Sequence, residues 1–140
     1  MLVALKARTP VPVDDMLRAF FVETAPLPIV YGTTDCAPWV CAWIAARRGV
    51  DPAAPWRGTY HTRARAAAIV HRQGGMLAFA TRVFREHRLA ETSAPLPGDV
   101  GCVEGPEGVG LVLRGWNGWA WKGDGFIEVA PFPMLRAWQV

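Results

Sequence analysis

One cysteine of this sequence lies where local helix geometry favours a reactive thiol. The segment PIVYGTTDCAPWV places Cys36 directly after Asp35, at the predicted start of a helix. Unpaired N–H groups and the positive end of the helix dipole favour a thiolate at such a position, and they can also stabilise an oxyanion. The pattern predicts nucleophilic chemistry at Cys36. The alternative is that Cys36 is a small buried hydrophobic side chain.

The other two cysteines, Cys41 and Cys102, are predicted to be core residues. Cys41 lies on a different face of the same helix, and Cys102 lies in a predicted strand. Three cysteines cannot form a closed set of disulfides, and the absence of a CxxC pair argues against a structural zinc site. Neither a metal nor a cofactor is predicted, since no Gly-rich phosphate loop follows a predicted strand.

Two short motifs, in this order and at this spacing, resemble the NlpC-type cell-wall cysteine peptidases of the papain-like superfamily. Tyr31-Gly32 followed by Asp35-Cys36 is similar to the aromatic-glycine loop and helix start of that family. Pro97-Gly98-Asp99-Val100 is similar to the entry into its first strand. The resemblance spans about residues 26–130. It implies an α+β fold with N-terminal helices packed on a C-terminal antiparallel β-meander or half-barrel, and Cys36 as the nucleophile.

The catalytic partners of Cys36 are missing from the positions that this resemblance implies. The family's catalytic His opens a strand that corresponds here to GVGL, so Gly108 occupies the position of the general base. Trp121 occupies the position of the orienting residue, and Ile29 that of a Tyr that helps to hold the oxyanion. A thiol without a positioned base loses about 10²–10⁴ in rate from proton transfer alone. The resemblance therefore implies a degenerate peptidase.

Three histidines are available as replacement bases: His61, His71 and His87. His61 precedes a predicted helix in RGTYHTRAR and is the strongest of the three candidates, because a loop can reach an active site. His71 and His87 lie on helices with Arg-rich faces. For all three, a surface histidine or a helix-end cap is the alternative.

Tryptophan is abundant, with seven residues, and three of them surround one predicted hairpin. Strand alternation places Trp119 and Trp121 on one face. That pair is expected either to stack on a sugar or partner protein, or to cover the helix layer. Together with Tyr31 and Asp35 of the first motif, these two residues are the candidate binding residues.

Positive charge is concentrated in the middle of the chain. Residues 45–90 carry nine Arg against Asp51 and Glu86, a net charge of +7, whereas residues 1–44 sum to −1 and residues 91–140 to −3. The block either contacts an anionic partner, such as a cell-wall polymer, or forms the solvated faces of two helices. No recognised nucleic-acid-binding motif accompanies it, so nucleic acid is not a predicted partner.

The composition and the order of segments predict one globular domain of 140 residues. Half of the residues are hydrophobic, and 19% are charged. No apolar run approaches the length of about 18 residues that a membrane span needs, and the order of the N-terminal residues is wrong for a signal peptide. The helical part is expected over about residues 12–90 and the β-meander over about 98–140.

Turn and cap residues predict the individual elements. Helices are expected from Asp14 to about Glu23, from Asp35 or a preceding Thr to Gly49, and from Thr62 to about Gln73. A fourth should direct its apolar side chains inward: Met76, Phe79, Ala80, Val83 and Phe84. Asn-Gly and Asp-Gly separators then predict hairpins between four or five antiparallel strands, with LRAWQV closing or covering an edge.

The resemblance implies a function in a phage particle. Degenerate NlpC-like domains resemble a branch found among phage and prophage tail genes, where intact versions are tail-tip hydrolases that open peptidoglycan. A non-catalytic tail-tip or baseplate component is therefore expected, made in the bacterial cytoplasm, located in the virion, and docking other tail proteins such as the hub. The alternatives are an active peptidoglycan hydrolase that uses Cys36 with an unrecognised base, and a binder of anionic cell-wall polymer through residues 47–88.

Overall fold

The computed structural model describes residues 12–140. Four helices come first: α1 (Val13–Thr24), α2 (Cys36–Arg48), α3 (Arg63–Arg72) and α4 (Met76–Glu86). Five strands follow: β1 (Val100–Gly105), β2 (Gly108–Arg114), β3 (Trp119–Lys122), β4 (Ile127–Ala130) and β5 (Met134–Trp138). Every strand pairing is antiparallel, so the predicted α+β class is confirmed.

The strands form one sheet in the order β4-β3-β2-β1-β5. The first four strands are a meander, and β5 returns to pair with the free side of β1. The predicted closing segment LRAWQV therefore covers an edge of the meander. Cross-strand pairs such as Cys102 with Leu111 and Val103 with Gly110 fix the register between β1 and β2.

Local capping chemistry sets the ends of the helices where the sequence predicts them. Gly49 ends α2 in the left-handed conformation at φ 77°, and the Thr62 hydroxyl accepts the Arg65 N–H at the start of α3. Asp14, the predicted cap of α1, lies one residue inside that helix instead. Within residues 12–140, no helix is long and apolar enough to cross a bilayer.

The helix-facing side of the sheet carries the larger hydrophobic core. α2 crosses this side and contributes the buried side chains of Trp39, Val40, Trp43 and Ile44. α4 packs beside it through Ala80, Val83 and Phe84, as predicted. Six buried residues of the sheet belong to this core: Val100, Cys102, Leu111, Leu113, Ala120 and Trp138.

The opposite side of the sheet is covered by its own tryptophans. Trp119 lies over Gly101, where an added β-carbon would be 2.6 Å from the indole ring. Trp121 lies over Gly105 and Gly110, where the corresponding distances are 2.1 Å and 2.6 Å. The two rings therefore share one face, as predicted, but they do not cover the helix layer. Strand alternation predicts which residues share a face but not which face meets the helices.

α3 differs from the other three helices because it has no buried residue. Its closest neighbour is α4, to which it is joined through Gly74-Gly75, both at positive φ. The helix therefore contributes little to the core. It forms one wall of a cleft instead.

Candidate functional site

A cleft of about 820 Å³ lies beside the N-terminal end of α2. Its walls come from α3, α4, the start of β2 and the turn between β3 and β4. Most lining side chains are apolar, including Val70 of α3, Phe79 of α4 and Leu111 of β2. Cys36, Asp35 and Tyr31 line the same cleft. Such a concave, largely apolar space with a few polar groups is the usual form of a ligand site.

Cys36 is the first residue of α2, and its thiol is directed toward the backbone of β2. Burial raises the pKa of this thiol to about 11, while hydrogen bonds from the backbone of Leu111 and Ala37 partly oppose the rise. The negative charges of Asp35 and Glu107 raise the pKa further. A thiol at a helix start often has a low pKa. Here the loss of solvation on burial raises the pKa of Cys36 by more than the backbone N–H groups lower it.

Asp35 organises the loop before α2. One carboxylate oxygen accepts the N–H of Gly32 at 2.8 Å, and the other accepts the hydroxyl of Tyr60 at 2.7 Å. Burial and this carboxylate raise the pKa of Tyr60, so its hydroxyl stays a donor. Gly32 has φ 88°, and an added β-carbon would lie 2.5 Å from the Tyr60 carbonyl oxygen. Position 32 must therefore be glycine, because any larger residue would clash with the Tyr60 backbone.

The position at the start of β2 on the cleft side is Val109. Val109 pairs with Glu104, and Leu111 pairs with Cys102 on the helix-facing side. Because Val109 is two residues from Leu111, it lies on the same side of the sheet. Gly108 alternates with Val109 along β2, and a β-carbon added at Gly108 would have no heavy atom within 4 Å. The side chain that the start of β2 presents to the cleft is therefore that of Val109.

Trp121 and Lys122 both line one end of the cleft, although strand alternation directs their side chains to opposite faces of the sheet. The Trp121 ring packs edge-on against Phe132, on the side of the sheet away from the helices. The Lys122 side chain is 2% exposed, and its ammonium donates to the carbonyl oxygens of Leu27 and Gly123, both at 2.6 Å. Burial lowers the pKa of Lys122, and Asp124 opposes this effect. Our sequence reasoning missed this lysine, although the alternation in WAWK places it opposite the tryptophans.

The turn after Lys122 is fixed to the segment that precedes α2. Asp124 accepts the N–H of Ile29 at 2.9 Å, and the N–H of Gly125 donates to the carbonyl oxygen of Leu27 at 3.1 Å. Together with the Lys122 bond, these contacts hold one end of the cleft. Ile29, the position expected to hold an oxyanion-stabilising Tyr, therefore has a structural role through its backbone.

The three histidines lie in different places. His71, in the last turn of α3, lines the same cleft as Cys36. His61 is exposed, and His87 places Nδ1 2.9 Å from the Val83 carbonyl oxygen at the end of α4. The strongest candidate from sequence, His61, is thus not the histidine that lines the cleft. The groups that shift the pKa of Cys36 are carboxylates and backbone amides, with no imidazole from residues 12–140 among them.

The tryptophan pair offers little surface to a ligand. Trp119 is 2% exposed, with Gly101 on one side of the ring and the Arg114 guanidinium 5.3 Å from the ring centroid. Trp121 is also buried, over Gly110. Stacking of a sugar on either ring would require these neighbours to move. Of the four candidate binding residues, Tyr31, Asp35 and Trp121 line the cleft, and Tyr31 and Asp35 are the more exposed of these three.

The remaining cysteines lie in the core, where burial raises the pKa of both Cys41 and Cys102 to about 12. All three thiols are free. Among the described residues, no group of three or more His, Cys, Asp or Glu side chains is arranged to hold a metal ion. The site is therefore a thiol in an apolar cleft with acidic neighbours.

Comparison with known proteins identifies the family of this chain. The model of one family, described as "Domain of unknown function (DUF6950)", matches residues 11–140. No curated protein and no solved structure matches the chain. The match covers all but the first ten residues of the sequence, and the chain belongs to the DUF6950 family.

Proposed function

We propose that this protein is a non-catalytic NlpC-like module of a phage tail tip or baseplate. The sequence motifs around Tyr31-Gly32 and Cys36 support the family resemblance. The packing of α2 on an antiparallel sheet, with Cys36 at the helix start, supports a papain-like layout. The proposed partners are other tail proteins, including the hub, and the proposed location is the virion.

The surroundings of Cys36 carry the non-catalytic part of the proposal, because Asp35, Glu107 and Val109 line the cleft beside the thiol. With a pKa of about 11, about one thiol in 10⁴ is ionised at pH 7. The nearest charges are those of Asp35 and Glu107, which disfavour a thiolate. The cleft-facing side chain at the start of β2 is the hydrocarbon of Val109, which cannot accept a proton. A cysteine hydrolase needs the opposite arrangement, a thiol beside a base.

One observation favours the alternative, an active hydrolase of peptidoglycan. His71 and Cys36 line the same cleft, and α3, which carries His71, has no buried residue. A shift of α3 toward α2 would disturb little of the core, so an imidazole could approach the thiol when a substrate is bound. Because catalytic contacts often tighten only in the substrate complex, this alternative requires a direct test.

Alkylation of Cys36 by iodoacetamide separates the two candidates. A thiol of pKa about 11 is expected to react at least about tenfold more slowly at pH 7 than an unperturbed cysteine, after allowance for its higher intrinsic nucleophilicity. The rate should rise about tenfold per pH unit between pH 7 and 10. The matched control is His71→Ala, which should leave the profile unchanged. Rapid reaction at pH 7 that His71→Ala slows would support the hydrolase.

Cleavage of peptidoglycan stem peptides tests catalysis directly. The purified protein is expected to release no product beyond the level of the Cys36→Ala variant. Cleavage that is lost in both Cys36→Ala and His71→Ala would overturn the non-catalytic proposal and assign the base.

The assembly role is tested in particles. Tail particles purified from the source bacterium or its phage are expected to contain the protein in a fixed ratio to other tail proteins, by quantitative mass spectrometry. A Cys36→Ser substitution should leave that ratio unchanged. Particles that assemble and infect without the protein would contradict the proposal.

A further inference from the structure

Two walls of the cleft, α3 and α4, present apolar side chains to it. On α3, Ala66, Ile69 and Val70 follow the i, i+3, i+4 spacing of one helix face, and all three are partly exposed. On α4, Met76 and Phe79 line the same cleft and are also partly exposed. Because α3 has no buried residue, the part of the chain that the structure describes leaves this apolar face uncovered. Hydrocarbon placed between the two helices would remove this surface from water.

The volume of the cleft limits the size of its occupant. About 820 Å³ lies within the range of about 300–1,000 Å³ that is typical of small-molecule sites. The Trp56 ring packs edge-on against Phe79, with ring centroids 4.8 Å apart, and both rings line the cleft. This part of the wall is therefore a continuous apolar surface. Such a space suits one small molecule with an extended hydrocarbon part.

The charges that line the cleft are predominantly negative. Four carboxylates stand against two cationic side chains: Asp35, Glu107, Asp124 and Glu128 against Arg63 and Lys122. Asp35 and Asp124 already accept protein hydrogen bonds. Glu107 and Glu128 are exposed, and within residues 12–140 neither side chain forms a hydrogen bond or an ion pair. Two carboxylates are therefore free to bind a cationic group.

Glu107 and Glu128 lie at the same end of the cleft, beside aromatic rings. Glu128 pairs with Trp121, and the Trp121 ring lies over Gly105, two residues before Glu107. Phe126, in the turn after β3, lines the cleft and is 53% exposed. Carboxylates beside aromatic rings attract an ammonium group through its charge and through cation–π contacts. An anionic head group would be repelled at this end.

We propose that the cleft binds one molecule of a single-chain amphiphile with an ammonium head group. The head group lies beside Glu107 and Glu128, and the hydrocarbon chain lies between α3 and α4. This inference goes beyond the proposed function and does not rest on it, because binding requires neither a reactive Cys36 thiol nor a tail protein.

Calorimetric titration of the full chain tests the ligand class, at ligand concentrations below those at which micelles form. Dodecyltrimethylammonium should bind at one molecule per chain. Dodecanoate, which has a similar chain and a carboxylate head group, should bind at least about tenfold more weakly, because its interactions with Glu107 and Glu128 are repulsive. Tetramethylammonium, the head group alone, should show no measurable binding, because burial of hydrocarbon provides most of the affinity.

Substitutions test the two parts of the site separately. Val70→Asp places a charge in the apolar wall and should weaken the binding of dodecyltrimethylammonium at least about tenfold. The matched control is Val22→Asp, because Val22 of α1 is 72% exposed and lies outside the cleft. Glu107→Gln combined with Glu128→Gln should reduce the preference for ammonium over carboxylate to within about threefold. Glu23→Gln, at an exposed position of α1, should leave the preference unchanged.

Three results would overturn the inference. Equal affinity for dodecanoate and dodecyltrimethylammonium would remove the head-group assignment. Unchanged affinity in a Val70→Asp variant would remove the assignment of the chain site. The third result is no saturable binding by a chain whose circular dichroism shows it to be folded. None of these results alters the alkylation profile of Cys36 or the peptidoglycan assay, so failure here is distinguishable from failure of the proposed function.

Discussion

The two faces of the sheet use tryptophan and glycine differently. On the far face, Trp119 and Trp121 lie flat on glycine backbone, with rings closer than any β-carbon would allow. On the helix face, α2 and α4 cover part of the sheet, and α3 stands apart to leave a cleft of about 820 Å³ beside Cys36. The far face of the sheet therefore contributes packing energy, whereas the helix face leaves space for a ligand beside Cys36.

The two faces differ because a buried ring contacts protein atoms on both of its sides, whereas a side chain in the cleft wall contacts them on one side only. A ring in contact with backbone on one side and side chains on the other gains dispersion and hydrophobic energy over its whole area. Side chains that line a cleft keep one side toward solvent. Substitutions on the far face should therefore cost more stability than substitutions in the cleft.

The largest effect is expected for Trp119→Ala. Removal of a buried indole leaves a cavity over Gly101 and should lower the free energy of unfolding by about 3–5 kcal/mol. Urea denaturation monitored by circular dichroism measures the change. Trp116→Ala is the control, because Trp116 is 40% exposed and should cost much less. Equal losses in the two variants would contradict the buried packing of Trp119 over Gly101.

Gly110→Ala should have the next largest effect. The new β-carbon would lie 2.6 Å from the Trp121 ring, and overpacking of this kind costs about 1–3 kcal/mol. A second substitution, Trp121→Leu, should relieve the clash, so the double variant should be more stable than the sum of the single changes predicts. Strict additivity in a thermal or urea denaturation series would contradict the contact.

Tyr60→Phe tests the polar support of the cleft. The variant loses the hydroxyl that donates to Asp35 at 2.7 Å, and a hydrogen bond to a charged group contributes about 1.5 kcal/mol or more. The loss of stability should be accompanied by faster alkylation of Cys36, because the loop before α2 loosens. A variant as stable as the parent, with unchanged alkylation, would show that Asp35 does not depend on Tyr60.

The smallest effect is expected for Ile69→Ala on α3. Ile69 is partly exposed in the cleft wall, and Ala favours helix formation more than Ile does. The two contributions nearly cancel, so the change in unfolding free energy should remain within about 0.5 kcal/mol. A loss above about 2 kcal/mol would show that α3 is part of the core.

The sequence predicted features that depend on neighbouring residues. The start of α2 at Cys36, its end at Gly49 and the Thr62 cap of α3 follow from local backbone and side-chain chemistry. The shared face of Trp119 and Trp121 follows from the two-residue period of a strand. Each of these predictions uses information within a few positions along the chain.

Features that depend on packing between distant segments were not predicted correctly. Periodicity does not say which side of β3 meets the helices, so neither the far-face position of Trp121 nor the buried Lys122 was anticipated. The presence of His71 in the cleft lining was also not anticipated, since the position of α3 relative to the cleft is a tertiary property. The position of Cys36 at the start of α2 could be predicted, whereas the set of side chains that line the cleft around it could not.

The bonds between Leu27 and the turn after β3 have a consequence for biosynthesis. Lys122 and Leu27 are 95 positions apart, so this end of the cleft cannot close until the ribosome has delivered the β3–β4 turn. Until then, α2 and α4 expose the apolar surfaces that later meet the strands. Folding is therefore expected to finish after most of the chain has left the exit tunnel, and the nascent helical half is a natural client for chaperones.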